Sequence, residues 1–270
     1  MNRTAVIATY ERLTHQVHWG GAFGEGLERR GWNVRHMHRD DVAECDLLVL
    51  WGVRRRELIE RQKKAGGEVC ILERGYLGDR MRETSVSFGG GLNGRGEFRC
   101  DRFGNLTRFR KKFRDLIKPR DIPQDGYALL IGQVPGDMSI AHVNIEPWYQ
   151  KTATDLLAEG WCVKFRPHPM APGGAAAGGR GLDILGGSLA ESLAGAAIVV
   201  TFNSNMGVDA ALFGRPVVAF DEGSMAWPIA GKSVSEIIEP PRLTWAARLA
   251  WCQYSEYEMR SGFCQERVGL

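Results

Sequence analysis

Short, strongly apolar runs alternating with helical patterns constrain this chain most. Ala5-Val6-Ile7-Ala8 opens the series, and Asn33 to Met37, Asp46 to Trp51 and Glu68 to Leu72 follow as further strands. Between them the spacing predicts a helix over Ala22–Arg30, closed by Gly31, and a charged helix from Arg54 to Lys64. Strand-then-helix order implies a parallel sheet, because a chain that crosses back over a helix re-enters in the direction it first took. After Glu73 a polar, glycine-rich segment intervenes, and such long irregular stretches are more often functional than structural. Lys118 to Asp125, with Pro119 and Pro123, reads as a linker. Beyond it Tyr127–Gly132 starts a second alternating unit with strands near 162, 198 and 217. The expected division is therefore 1–120, 121–240, and a helical segment 241–270 that packs back onto the first unit through Trp245, Leu249, Trp251 and Tyr254. Two α/β units on a short linker make a cleft.

Composition narrows the classes. A chain of 270 residues, 44% hydrophobic and 25% charged, buries an ordinary globular core. Its net charge of +3 gives no global signal for a polyanionic partner, so local clusters decide that question. Cys45, Cys70, Cys100, Cys162, Cys252 and Cys264 include no CxxC pair, which argues against a zinc knuckle or a redox motif; most are expected to be reduced core residues. Met1 leads directly into a strand without a signal-peptide core, and no window reaches the ~18 apolar residues of a membrane span. A soluble, cytoplasmic protein is expected, with no metal and no cofactor.

The chemistry concentrates in the second unit. Trp161-Cys162-Val163-Lys164-Phe165 is a strand stopped by Pro167 and Pro169, so Arg166 and His168 fall just past its carboxyl end, where open α/β sheets bind ligands. Both could donate hydrogen bonds to a phosphate. Ala197–Thr201 is a second buried strand, after which Asn203-Ser204-Asn205 can cap a helix starting near Met206. The Ser204 hydroxyl and the N–H groups of Asn205 and Met206 suit an anion. Asp209, one turn in, either accepts ribose hydroxyls or merely favours the helix dipole. Gly132-Gln133, with Gly136-Asp137, follows the first strand of this unit, and its glycines allow close backbone approach. In the first unit, Gly20-Gly21 with His18 and Trp19 would line the opposite wall. Gly173 to Gly181 is a surface loop or a lid. Arg108-Phe109-Arg110-Lys111-Lys112-Phe113-Arg114 sets five cations and two aromatics within seven residues, either a charged helix face or a patch that neutralises phosphates.

The Arg166-Pro167-His168-Pro169 segment and the pattern Ser204-x-x-Gly207-x-Asp209-Ala210-x-x-x-Gly214-x-Pro216-Val217 resemble the donor half of GT-B glycosyltransferases. The likeness, over about residues 126 to 220, is to the capsular-polysaccharide (KpsC/KpsS-like) group and, more distantly, to HP-motif bacterial sialyltransferases. It implies two Rossmann-like domains with mostly parallel sheets facing a central cleft, 1–120 on the acceptor side and 121–240 binding a nucleotide sugar. It places His168 and Ser204 on the nucleotide phosphate and Asp209, in place of the usual glutamate, on the ribose. Glu73-Arg74-Gly75-Tyr76 resembles the acidic segment that supplies the family's base, but Arg74 stands where a second acid belongs. The base is therefore Glu73, Asp79 or another carboxylate such as Asp137. Donor contacts are expected from Gly132, Gln133, Arg166, His168, Asn203, Ser204, Asn205, Gly207 and Asp209, and acceptor contacts from His18, Trp19, Gly20, Arg108, Arg110, Lys111 and Lys112. A UDP-sugar is the default donor and a CMP-sugar its rival.

The compact length and basic first half are also similar to small bacteriophage glycosyltransferases that decorate hydroxymethylated pyrimidines in DNA. That comparison implies a DNA acceptor and residence in a bacterial host's cytoplasm. A capsule or lipid-linked glycan acceptor, a GT-B-type epimerase and a non-catalytic nucleotide binder remain open.

Overall fold

The computed structural model describes residues 3–10, 12–38, 44–99, 106–171, 179 and 181–270. Two units emerge, Met1–Lys112 with Ala247–Leu270, and Phe113–Ala246. In unit 1, β1 (Thr4–Thr9) leads into α1 (Thr14–Arg29), followed by β2 (Asn33–His38), β3 (Leu47–Trp51), α2 (Arg56–Lys64), β4 (Glu68–Arg74), β5 (Glu83–Phe88) and α3 (Thr107–Lys112). Unit 2 runs through β6 (Tyr127–Ile131), α4 (Ile145–Ala158), β7 (Val163–Arg166), β8 (Asp183–Ile184), α5 (Leu189–Ala194), β9 (Ala196–Thr201), α6 (Met206–Phe213) and β10 (Val217–Ala219). Helix α7 (Leu243–Ala250) carries the chain back to unit 1, which ends in β11 (Gln253–Ser255), α8 (Glu256–Arg260) and α9 (Phe263–Arg267).

Unit 1 holds a six-stranded sheet ordered β11-β5-β4-β3-β1-β2, parallel from β4 to β2 and antiparallel at β5 and β11. Its core gathers Ile7, Trp19, Phe23, Leu27, Val49, Leu72, Phe88 and Tyr254. Helix α1 begins eight residues before the expected Ala22, and Gly20 lets it lie close on β1. A β-carbon there would sit 2.8 Å from Thr9 Cγ2 and 2.9 Å from Ile7 Cγ2.

Two expectations change. The polar segment after Glu73 contains the fully buried strand β5, whose Ser85 hydroxyl donates to the Glu73 carbonyl at 3.2 Å. Its two serine hydroxyls bond to neighbouring carbonyls, Ser87 reaching Gly91 at 3.5 Å, while Thr84 Oγ1 is buried without a partner among the described residues, so a strand written in polar letters is disguised as loop. The C-terminal segment is not one helix: Trp245 lies on α7, while Tyr254 lies on β11, paired with Thr84.

Unit 2 holds a five-stranded sheet ordered β10-β9-β6-β7-β8 in which every neighbouring pair is parallel. Ile131 pairs with Arg166 and Leu130 with Val200, so the carboxyl ends of β6, β7 and β9 finish on one edge. Of the glycine-rich run 173–181, all but Gly179 and Gly181 lie outside the described residues, as does Cys100. Among the described residues no helix is long and apolar enough to cross a membrane.

Candidate functional site

The carboxyl edge of the unit 2 sheet collects Gly132-Gln133 after β6, Pro167-His168 after β7, Asn203-Ser204 after β9 and Asp221 after β10. Strand β6 lies between β7 and β9, so the strands that lead into His168 and Ser204 stand two spacings apart, about 10 Å. The strand between them is followed by Gly132. A β-carbon at Gly132 would lie 2.9 Å from Phe165 Cζ and 3.1 Å from the Arg166 carbonyl oxygen, to which Gly132 N–H donates at 2.8 Å. Gly132 therefore packs tightly against the end of β7.

His168 is half-buried, and its Nδ1 accepts the Met170 N–H at 3.1 Å. An imidazole nitrogen that accepts carries no proton, so the neutral ring holds its hydrogen on Nε2. Arg166, two residues earlier, is turned elsewhere. Its guanidinium donates to the Ser192 hydroxyl at 2.7 Å and to the carbonyls of Gly187 and Gly186 at 2.9 and 3.4 Å. It braces the 186–187 turn and the start of α5.

At the start of α6 the Ser204 N–H donates to Thr201 Oγ1 at 3.0 Å, and Ser204 Oγ accepts the Met206 N–H at 3.2 Å. The hydroxyl thus occupies one of the helix's first donors and keeps its own hydrogen for another partner. Asn205 is the N-cap without a side-chain cap bond. Gly207 seats α6 closely, since a β-carbon there would lie 3.2 Å from Ala226 Cβ and 3.3 Å from Thr201 Cγ2. Asp209 lies in the first turn of α6, half-buried.

Beneath this edge runs a polar chain. Gln133 N–H donates to the Tyr149 hydroxyl at 2.7 Å, Gln133 Nε2 to Asn203 Oδ1 at 2.7 Å, and Asn203 N–H to Gln133 Oε1 at 3.1 Å. Asn203 Nδ2 donates in turn to the Ser139 carbonyl at 2.8 Å and to Asp221 Oδ1 at 2.9 Å. Asp221 Oδ1 also takes the Gly223 N–H at 2.9 Å, and Oδ2 lies 3.1 Å from His142 Nε2. Burial pushes the Tyr149 hydroxyl up to about 12, so it remains protonated at neutral pH. Tyr149, Asp221 and His142 were not singled out from the sequence. No local spacing reveals a pairing such as 142 with 221.

In unit 1, Glu73 ends β4 half-buried, its Oε1 accepting the Arg74 N–H at 2.9 Å. A β-carbon at Gly52 would lie 3.4 Å from its Oε2. Asp79 and Asp137 are exposed turn residues. Each accepts a backbone N–H two residues on, from Met81 at 3.0 Å and Ser139 at 2.8 Å, and Asp79 also pairs with Arg82. Trp51, paired on β3 with Leu72, and His15 were also missed from sequence. The His15 ring meets Trp51 edge-on at 5.0 Å, and the Arg74 guanidinium lies 5.5 Å from the Trp51 ring centre. Burial, then the Arg74 charge, holds the His15 imidazole below its ordinary range.

The expected acceptor residues are arranged differently. Trp19 is a core side chain, Gly20 is the helix-on-strand contact, and His18 pairs with Glu256 at 3.1 Å. Arg108 is 6% exposed and donates to Glu258 and to the carbonyls of Ala250 and Gln253. Lys112 binds Glu83 at 2.7 Å and Glu258 at 3.2 Å. These two cations join α3 to the C-terminal return, leaving Arg110 and Lys111 exposed. Burial opposes the Glu258 charge, but the Arg108 bonds outweigh it and hold the carboxyl down at about 2; burial raises Glu83. Among the described residues no three His, Cys, Asp or Glu side chains gather as a metal site.

No protein-family model and no curated protein matches this sequence. Solved structures similar over nearly its whole length include two from one organism. One is the beta Kdo 2,4 transferase of Thermosulfurimonas dismutans KpsC, 16% identical, with 100% of this chain and 99% of that one covered at a TM-score of 0.61. The other is the beta Kdo 2,7 transferase of Thermosulfurimonas dismutans KpsC, 14% identical, with 98% and 99% covered at a TM-score of 0.56. The fold is that of a GT-B-like glycosyltransferase, with two mostly parallel sheets.

Proposed function

We propose that this chain is a glycosyltransferase that moves a sugar from a nucleotide-sugar donor to a hydroxyl of a glycan. The observation that carries the reading is the carboxyl edge of the unit 2 sheet, where His168, Gly132 and Ser204 end consecutive neighbouring strands. Nε2–H of His168 and the Ser204 hydroxyl supply donors from the strand ends on either side of Gly132, as a phosphate requires, while the Met206, Gly207 and Val208 N–H groups stay bonded within the start of α6. As the sugar leaves, negative charge grows on that phosphate, and preformed donors stabilise it without reorganising. Asp209 is assigned to the ribose. Arg166 holds the neighbouring turn rather than the phosphate. Of the three carboxylates, Glu73 is assigned the acceptor's proton, because Asp79 and Asp137 serve exposed turns.

A glycan acceptor is preferred to DNA because the cationic run that suggested DNA commits Arg108 and Lys112 to Glu83 and Glu258. The full-length likeness to two transferases of Kdo supports the same choice. The test is incubation with UDP-, CMP- and ADP-sugars and a panel of oligosaccharides and hydroxymethylated DNA, read by mass spectrometry. A mass gain on an oligosaccharide is the expected result. A gain on DNA alone would restore the DNA acceptor, and no transfer or donor hydrolysis with any pair would overturn the reading.

A further inference from the structure

The two histidines of unit 2 share one tautomer but engage opposite nitrogens, His168 through Nδ1 and His142 through Nε2. His168 accepts at Nδ1 and so carries its hydrogen on Nε2. His142 has Nε2 at 3.1 Å from Asp221 Oδ2, and a carboxylate only accepts, so the neutral ring carries its hydrogen on Nε2 and a lone pair on Nδ1. Asp221 is 7% exposed and is anchored by Asn203 Nδ2 and the Gly223 N–H. The Phe202 ring centre lies 5.9 Å from that of His142, whose side chain stays 44% exposed. Among the described residues Nδ1 has no hydrogen-bond partner. The buried chain Tyr149, Gln133, Asn203, Asp221 thus ends, on the edge that carries His168 and Ser204, in one oriented acceptor turned to solvent.

We propose that His142 is a second donor-site residue, whose Nδ1 accepts a hydrogen bond from a hydroxyl of the bound nucleotide sugar. The inference rests on the nucleotide-sugar reading above. An acceptor-only nitrogen repels phosphate oxygens and suits a hydroxyl, which both the ribose and the transferred sugar supply. His168 and His142 then divide the ligand, the first serving its anionic part and the second its hydroxylated part. Asp221 acts as a positioning residue by fixing the ring and its tautomer.

Calorimetric titration of wild type and two variants tests this, with UDP-glucose, CMP-N-acetylneuraminate, UDP, CMP and the 2′,3′-dideoxy forms of UDP and CMP as probes. His142→Phe keeps a ring against Phe202 but removes the acceptor, and is expected to weaken binding about three- to tenfold, the worth of one hydrogen bond. His142→Asn retains an amide hydrogen for Asp221 and an oxygen acceptor, and should recover most of that loss. A loss seen with UDP or CMP that vanishes with the dideoxy forms assigns the ribose. One confined to the nucleotide sugars assigns the transferred sugar. Equal affinities of wild type and His142→Phe for every probe, or equal losses with and without hydroxyls, would overturn the proposal while leaving the glycosyltransferase reading intact. Wild type binding none of the probes would count against both. Nitrogen NMR of histidine-labelled wild type gives a readout independent of folding in the variants: a bound probe must move the Nδ1 resonance of His142 more than its Nε2, and the reverse is contrary evidence.

Discussion

Gln133 and Asn203, seventy positions apart, close a reciprocal pair: Gln133 Nε2 donates to Asn203 Oδ1 at 2.7 Å and Asn203 N–H returns to Gln133 Oε1 at 3.1 Å. The pair ties the loop after β6 to the loop after β9 beneath the candidate phosphate site. Gln133→Leu would strand both Asn203 groups in a buried setting, at about 1–3 kcal/mol each. Thermal unfolding followed by circular dichroism should show a melting point several degrees lower, together with weaker nucleotide binding. An unchanged melting point would mean that water replaces the side chain and that the pair is not a structural tie.

Gly132→Ala adds one carbon where Phe165 and the Arg166–Pro167 backbone already stand within 2.9 to 3.1 Å. Overpacking of this kind costs about 1–3 kcal/mol. Urea denaturation is expected to show that loss, and nucleotide affinity should fall with it because the strand tips part.

Arg108→Met should be among the most damaging changes in unit 1, since it leaves Glu258 and Glu83 buried around Lys112 alone. Removing one partner of a buried ion pair costs about 3–5 kcal/mol. Arg110→Met, on the exposed side of α3, should stay within about 0.5 kcal/mol of wild type. Equal effects in urea titrations would contradict an inward-facing Arg108.

Acid stability follows from Glu258. Its folded value, about 2 against an ordinary 4.5, is depressed, so its contribution is fully present above the ordinary value and is lost as pH falls toward 2. The difference corresponds to about 3 kcal/mol, partly offset by Glu83, whose raised value acts in the opposite sense. Stability measured from pH 6 down to pH 2 should decline steeply below pH 4.5, and Glu258→Gln should flatten that decline. A variant with the same slope as wild type would remove Glu258 from the account.

Much of this architecture is written in local pattern. Val6–Ile7, Leu48–Val49 and Leu129–Leu130 are apolar runs long enough to fill a parallel sheet, and Pro167 marks where β7 must stop, which puts His168 past a strand end. What escapes is polar or distant. Strand β5 reads Glu-Thr-Ser-Val-Ser-Phe and looks like loop, because its burial depends on strands 10 and 170 residues away. A run of cations looks solvated, yet Arg108 finds its acceptors 142 to 150 residues on. The His142–Asp221 contact has the same character, since the sheet order that creates it has no signature in either segment.

Turnover of a nucleotide sugar should be measured for wild type, His168→Gln and His168→Ala at matched melting temperatures. If Nε2–H stabilises the departing phosphate, alanine lowers kcat by on the order of a hundredfold or more, and glutamine, which keeps a side-chain N–H, recovers part of it. An alanine variant that turns over at the wild-type rate would contradict the assignment.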